Sequence, residues 1–492
     1  MKKSILASAI LSAAFLSASH AYAASVETGM APSTGLTYSG HTGANNLYNP
    51  ASGALQRTQM KSSDAFDSSF NIEFGAEFGN IDELFDKIDQ LSKSLTEGNG
   101  GDGGSNGGGN DGDGGNGGGS IAPDLPDIDI DNPELEALLT SVAANIATIA
   151  GVVGIVGSEG YTVVDGGFEI PVLINKDIWG GSLAFKFSSQ VQVAAIGVAQ
   201  PINFSKEQAR ATLQQLRDLD SSSGSTTYDL SGGAMLTVDP SAGRVSLKMN
   251  NDSTLLTKGA RALQLRAAYS RMISESDKGR LYVGVEPAIV HLGRSNLATR
   301  IGDIKDSKEL LEDISDADYV YNTGVTADLG VFWDADIYRL GAELSNLYEA
   351  EFEFDQNNSS SINDSGVQRQ LNQERDFKLE RQLRLEGSVF TPNRRWVAST
   401  SIDTNSTVDM MYKENQWFYL NGSYQPQNTW LPSVRLGYSE NLVGSEIRMV
   451  GAGTTLFKYF NLDLSTSLDQ VTIDDTSLPR GYDIKAGVKV SF

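Results

Sequence analysis

Residues 482–492 read YDIKAGVKVSF, and the spacing inside that stretch decides the fold class. Tyr482, Ile484, Ala486, Val488, Val490 and Phe492 share one face of a strand, while Asp483, Lys485, Gly487, Lys489 and Ser491 share the other. A period of two sets an apolar medium against a polar one. One strand of a soluble sandwich could look the same, so recurrence matters. The pattern returns along the chain. Phe70, Ile72, Phe74, Ala76 and Phe78 oppose Asn71, Glu73, Gly75 and Glu77. Leu183, Phe185 and Phe187 oppose Lys186 and Ser188, and Leu263, Leu265 and Tyr269 oppose Gln264, Arg266 and Ser270. Leu383, Leu385 and Val389, then Val434, Leu436 and Tyr438, then Leu462, Leu464 and Leu468 continue it. Segments of about ten residues with one apolar and one charged face are the signature of a transmembrane barrel with a wet interior. A sandwich would need dry inner faces.

Connection lengths give an independent test. Residues 294–322 form a long charged connection, followed by the tight turn Asp334-Ala335-Asp336. The long polar stretch 346–376 precedes Thr391-Pro392-Asn393, and 404–415 precedes a short turn at Pro426 and Asn428. The 440–445 connection is shorter than this alternation calls for. Outer-membrane barrels have short periplasmic turns and longer external loops, and counting back from Phe492 places each long connection outside. Trp179, Trp333, Trp396, Trp417 and Trp430 fall near expected strand ends, where an interfacial girdle sits. The expected fold is an all-β transmembrane barrel of about 14 antiparallel strands, with 12 to 16 compatible with the pattern. Residues 200–260 are the least regular.

Composition agrees by exclusion. In 492 residues there are 62 Asp+Glu and 38 Lys+Arg, a net charge of -24, the wrong sign for a nucleic-acid-binding surface. There is no cysteine, which removes disulfides, iron–sulfur clusters and thiol chemistry, and 3 histidines, one of them His20 in a leader, exclude a multi-histidine metal site. A mean hydropathy of -0.24 is too polar for a helical membrane bundle. No cofactor is expected.

At the amino terminus, Lys2 and Lys3, the apolar run Ile5–Leu16 and the small-x-small motif ending Ala21-Tyr22-Ala23 have the form of an export signal over 1–23. The apolar run is shorter than the roughly 20 residues a bilayer requires. A segment over 24–65 then leads to a first strand over 66–79, and the remainder of the barrel is expected over 158–492. Between them the period changes. Ile81, Leu84, Phe85, Ile88, Leu91 and Leu95 form one helical stripe, and Leu135, Leu138, Leu139, Val142, Ile146, Ile149 and Val153 form another after Asn132-Pro133. An inserted helical hairpin over 80–157 follows, with a Gly-, Asp- and Asn-rich flexible tip at 98–120. Asp111 and Asp113 are spaced as in a calcium loop, yet Ala122 stands where the bidentate acid belongs, so no metal is assigned.

This order of features resembles known families. Asn45-Asn46-Leu47-Tyr48-Asn49-Pro50-Ala51 resembles the N-P-A turn in the N-terminal hatch of FadL-like outer-membrane transporters, making Asn49, Pro50 and Ala51 a hatch-like turn. The whole layout, from leader through hairpin to terminal Phe, is closer to the TraF-like conjugal transfer family of outer-membrane proteins. Leu436-Gly437-Tyr438, Gly451-Ala452-Gly453 and the last strand resemble it as well. The thioredoxin-related transfer protein that shares the name is a different matter, since that chemistry needs cysteine. Tyr482 and Phe492 look like the signal read by the barrel-assembly machinery; deleting Phe492 should then lower barrel yield.

The resemblance implies a non-enzymatic envelope role associated with plasmid transfer. Its expected partners are outer-membrane lipid, the barrel-assembly machinery, periplasmic chaperones and an envelope or transfer-apparatus protein. Two alternatives stand beside it: FadL-like passive uptake of a small hydrophobic compound, and an outer-membrane hydrolase. For the last, His291 with Ser295 is the one arrangement worth naming, and it lacks an oriented third member.

Overall fold

The structure is a computed structural model, and it describes residues 47–59, 65–79, 161–198, 200, 211, 225–229, 234–239, 244–249, 252–300, 318–354, 362–372, 376–428, 430–473 and 476–491. The signal segment with Ala21 and Ala23, the 80–157 insertion and Phe492 lie outside these residues.

Fourteen strands close into one barrel, each hydrogen-bonded to its neighbours in sequence order. They are β1 (Phe66–Phe78), β2 (Tyr161–Ile178), β3 (Gly181–Val198), β4 (Thr254–Ser276), β5 (Gly279–Arg300), β6 (Val320–Asp334) and β7 (Tyr338–Ser345). The circle continues with β8 (Gln382–Phe390), β9 (Trp396–Asp403), β10 (Trp417–Tyr424), β11 (Ser433–Asn441), β12 (Arg448–Leu456), β13 (Phe460–Ser467) and β14 (Gly481–Ser491). Antiparallel β1 and β14 zip the cylinder shut, with Asp67 opposite Ser491 and Glu77 opposite Gly481. Closure satisfies every strand edge, which is what a bilayer demands of a spanning sheet.

The alternation read from sequence has a direct outcome. Leu436 (66% exposed), Val325 (62%) and Val389 (60%) face outward, whereas the intervening Arg435, Asp328 and Ser388 are buried. An apolar exterior around a charged interior is a membrane barrel, and no helix among the described residues is long and apolar enough to cross a membrane. The short turns, at Trp179–Gly180, Asp277–Lys278 and Ala335–Ile337 among others, collect at one end, and the long connections at the other. The brief 442–447 connection lies at the long-loop end, so the parity holds where length alone misled.

The wall is uneven. β2 and β3 have 18 residues each, β4 has 23 and β5 has 22, whereas β9, β10 and β13 have 8. A crossing needs about 9–11 residues, so one side of the barrel rises well past the bilayer at the loop end. Part of the irregular 200–260 region resolves into the upper end of β4. The rest includes a separate three-stranded sheet of Thr226–Asp229, Ala234–Asp239 and Arg244–Met249.

Candidate functional site: a lumen filled from both ends

The turn end is occupied by residues 47–59. Asn49 begins a turn that closes through its own side chain: the Ala51 N–H donates to Asn49 Oδ1 (2.9 Å) and the Ser52 N–H to the Asn49 carbonyl (2.8 Å). The same amide donates through Nδ2 to Glu386 Oε1 (2.8 Å) and to the Ala342 carbonyl (3.1 Å), fastening the turn to β7 and β8. Pro50 then leads into helix α1 (Ser52–Gln59), whose Leu55 is 1% exposed. Ser270 Oγ accepts the Ala54 N–H (2.7 Å), Thr58 and Tyr282 share a hydroxyl pair at 3.0 Å, and Lys186 Nζ donates to the Leu47 carbonyl (3.1 Å). Two wall glycines make this approach possible. A side chain on Gly284 would strike the Pro50 carbonyl, and one on Gly330 would strike Asn49 and the Ala51 nitrogen. The N-P-A turn was legible in the sequence; the glycines that receive it were not.

At the loop end, apolar chain folds inward. Phe352, Phe354, Phe377, Leu379, Met410 and Met411 pack on the inner face of the tall wall, against Val163, Ala194, Ala260, Ala262, Val290 and Leu292. Small alanines on β3 and β4 leave room for the phenylalanines. A second helix, α2 (Ser365–Asn372), lays Val367 and Leu371 on Val198 and Leu256. Its N-cap is Asp364, whose Oδ1 accepts the Gly366 and Val367 N–H groups at 2.8 and 2.9 Å. Asp409 fixes the methionine loop in the same manner. Its Oδ1 accepts from the Met411 and Lys413 N–H groups (2.8 and 2.9 Å) and its Oδ2 from Gln192 Nε2 (3.2 Å). Burial pushes the Asp409 carboxyl above its usual range, against the lowering pull of Lys413 and the backbone donors. Arg294 lies over the rings of Phe354 and Tyr412 at 5.0 and 4.8 Å and donates to the Tyr412 hydroxyl at 3.0 Å.

Between the two closures the inner wall is laced with ion pairs. Lys186 and Arg266, directly opposite each other on β3 and β4, share Glu286 (2.7 and 3.3 Å), and Arg266 also binds Asp328. Arg384 binds Asp403 at 2.8 Å, Arg435 binds Asp463 at 3.0 Å, Lys485 binds Glu73 at 3.5 Å and Lys489 binds Asp67 at 3.0 Å. Among the described residues a cavity of about 190 Å³ lies between the two ends, bounded by Tyr48 from the hatch, Leu379 and Val408 from the cap, and Glu73, Arg266 and Asp403 from the wall.

The structure places the five tryptophans unequally. Trp179, Trp333, Trp396 and Trp430 stand at the turn end, and Trp179, Trp396 and Trp430 are 82%, 61% and 80% exposed. Trp417 corrects the girdle expectation: it opens β10 at the loop end on an inward-facing position and packs on Tyr419, Ile447 and Met449, with Tyr48 against the group. Strand-end position is visible in sequence, but the parity of that one residue is not. Tyr482 sits outward on the loop end of β14. His291 also corrects its pairing. Its ring stacks on Tyr321 (5.1 Å between centroids) and its Nδ1 hydrogen-bonds Thr323 (2.8 Å). Ser295, four residues along the same strand, lies roughly 13 Å away at 3.3 Å per residue. No serine–histidine dyad forms there.

Fold and lumen together define the class: an outer-membrane β-barrel into whose interior its own chain folds from both ends. The chain belongs to the family described as "F plasmid transfer operon, TraF, protein", whose model matches residues 46–403. A search of curated sequences finds no match. Among solved structures, a monoaromatic hydrocarbon channel, the TodX deltaS2S3 mutant, is 12% identical, covering 90% of this chain and 92% of that one with a TM-score of 0.38. The Ralstonia pickettii toluene transporter TbuX is 10% identical, covering 94% and 98% with a TM-score of 0.38. The β domain of the Bordetella autotransporter BrkA is 11% identical, covering 87% and 100% with a TM-score of 0.24.

Proposed function

We propose that this protein is exported by a cleaved signal peptide and serves as a non-enzymatic outer-membrane component of plasmid transfer. In this role the barrel is a scaffold, and its loop-end surface, with the 80–157 insertion, meets an envelope or transfer-apparatus protein. The observation carrying the proposal is the double closure. Hatch and cap both reach into the lumen, and the cavity between them is about 190 Å³ with a mixed polar and charged lining, where a constitutive pore would leave a wide continuous passage. The family match supports transfer as the setting. A second role, passive uptake of a small hydrophobic compound, is favoured by one feature, the apolar cluster beneath the loops. Deleting the gene in a plasmid-bearing donor separates the two. Reduced mating frequency with unchanged uptake of small aromatic compounds is expected; normal mating with lost uptake would reverse the choice.

A further inference from the structure

One rung of the inner wall gathers oxygen-bearing side chains around a buried carboxylate. Gly75 on β1 is flanked by Asp165 on β2 and Asp483 on β14, and Asp483 is flanked in turn by Ser465 on β13. All four positions face the lumen. Asp483 is 2% exposed and Ser465 7%, and neither the two Asp483 carboxylate oxygens nor Ser465 Oγ has a hydrogen-bond partner among the described residues. Gly75 makes room for the Asp165 carboxylate, which lies over it toward the Asp483 strand: a Cβ there would come within 2.6 Å of Asp165 Oδ1 and 2.9 Å of Oδ2. Asp483, Asp165 and Gly75 line a cavity of about 60 Å³. Nearby bases are committed elsewhere: Lys485 to Glu73 at 3.5 Å, Lys413 to Glu77 at 3.0 Å and Arg435 to Asp463 at 3.0 Å. A buried carboxylate with no hydrogen-bond donor, and with its nearest base Lys485 paired to Glu73, costs several kcal/mol unless something neutralises it.

We propose that this rung binds a hard, oxygen-seeking cation between Asp165 and Asp483, with Ser465 Oγ as a neutral ligand and water completing the shell. Among the described residues no three acids converge as a metal cage, so two carboxylates, a hydroxyl and solvent make up the donor set. Such an ion would tie β2 to β13 across the β1–β14 closure, the seam where the chain's two ends meet. The proposal is independent of the transfer role, since it is read on purified protein.

The test is equilibrium dialysis and heat-unfolding of the full barrel in detergent, with sodium, potassium, magnesium or calcium chloride against choline chloride at equal ionic strength. One of the four ions should bind saturably and raise the unfolding midpoint. Asp483→Asn and Ser465→Ala should each weaken that response about tenfold. If Asp483→Asn does not assemble, Ser465→Ala, which removes one oxygen and no charge, carries the comparison. No binding above choline by the wild-type chain overturns the site. So does a response that both variants keep unchanged, or an Asp483→Asn barrel as stable in choline as wild type in every salt, which would mean a carboxyl holding its proton among waters.

Discussion

Arg435 and Asp463 show how individual residues hold the wall. Their side chains are 2% and 1% exposed and meet twice, Nε to Oδ1 and Nη2 to Oδ2, both at 3.0 Å. Removing one partner strands the other charge, which costs about 3–5 kcal/mol, whereas replacing both by apolar groups can be neutral. Arg435→Ala should therefore lower the midpoint of heat-modifiable migration, and Arg435→Met with Asp463→Leu should restore most of it. Asp409 supplies a pH signature. Its carboxyl is raised in the folded protein, so the closed cap binds that proton more tightly than an opened loop does. The stabilisation is complete below the ordinary carboxylate range and is lost as pH rises through the raised value. Brief openings in planar-bilayer recordings should grow more frequent across that interval. Asp409→Asn keeps the acceptor for the Met411 and Lys413 N–H groups and should flatten the pH response. Equal pH dependence in both proteins would assign it to another group.

At the scale of elements, hatch and wall fit through missing side chains. Gly330→Val should lift Asn49 out of its seat and expose residues 47–59 to protease in detergent. Gly422→Ala is the matched control, because its added Cβ would meet only the Val397 carbonyl at 3.9 Å. If both variants digest alike, the hatch is not held by this contact. The cap depends on area instead. Phe352 and Phe377 are each 1% exposed, and truncating such a residue to Ala costs about 3–5 kcal/mol of local packing. Phe352→Ala with Phe377→Ala should loosen the loop end without unfolding the barrel, seen as faster amide exchange at Met410 and Met411 and unchanged exchange in β10 to β13.

For the whole molecule, closure of the cylinder and closure of the lumen are separate. The ladder runs unbroken from β1 to β14 without help from hatch or cap. Deleting residues 47–59 alone should leave heat-modifiability intact while conductance rises little, because the cap still blocks the far end. Combining that deletion with the double phenylalanine change should open a stable ion-conducting state. A large conductance from the hatch deletion alone would mean that the cap is no barrier.

Dyad alternation by itself determined the barrel, because which side chains meet lipid and which meet water is a property of neighbours in the chain. Loop parity and the N-P-A turn were legible for the same reason, being local. What fills the lumen was not. Ala194 and Ala260 become a socket only when Phe352 and Met411 arrive from loops distant in sequence, and Gly330 matters only because Asn49 comes to rest on it. Trp417 turned inward, and His291 found Thr323 rather than Ser295, because cross-strand register chooses partners that sequence spacing does not. Polarity alternates within a strand and can be read there; contact across a closed cylinder belongs to the three-dimensional fold.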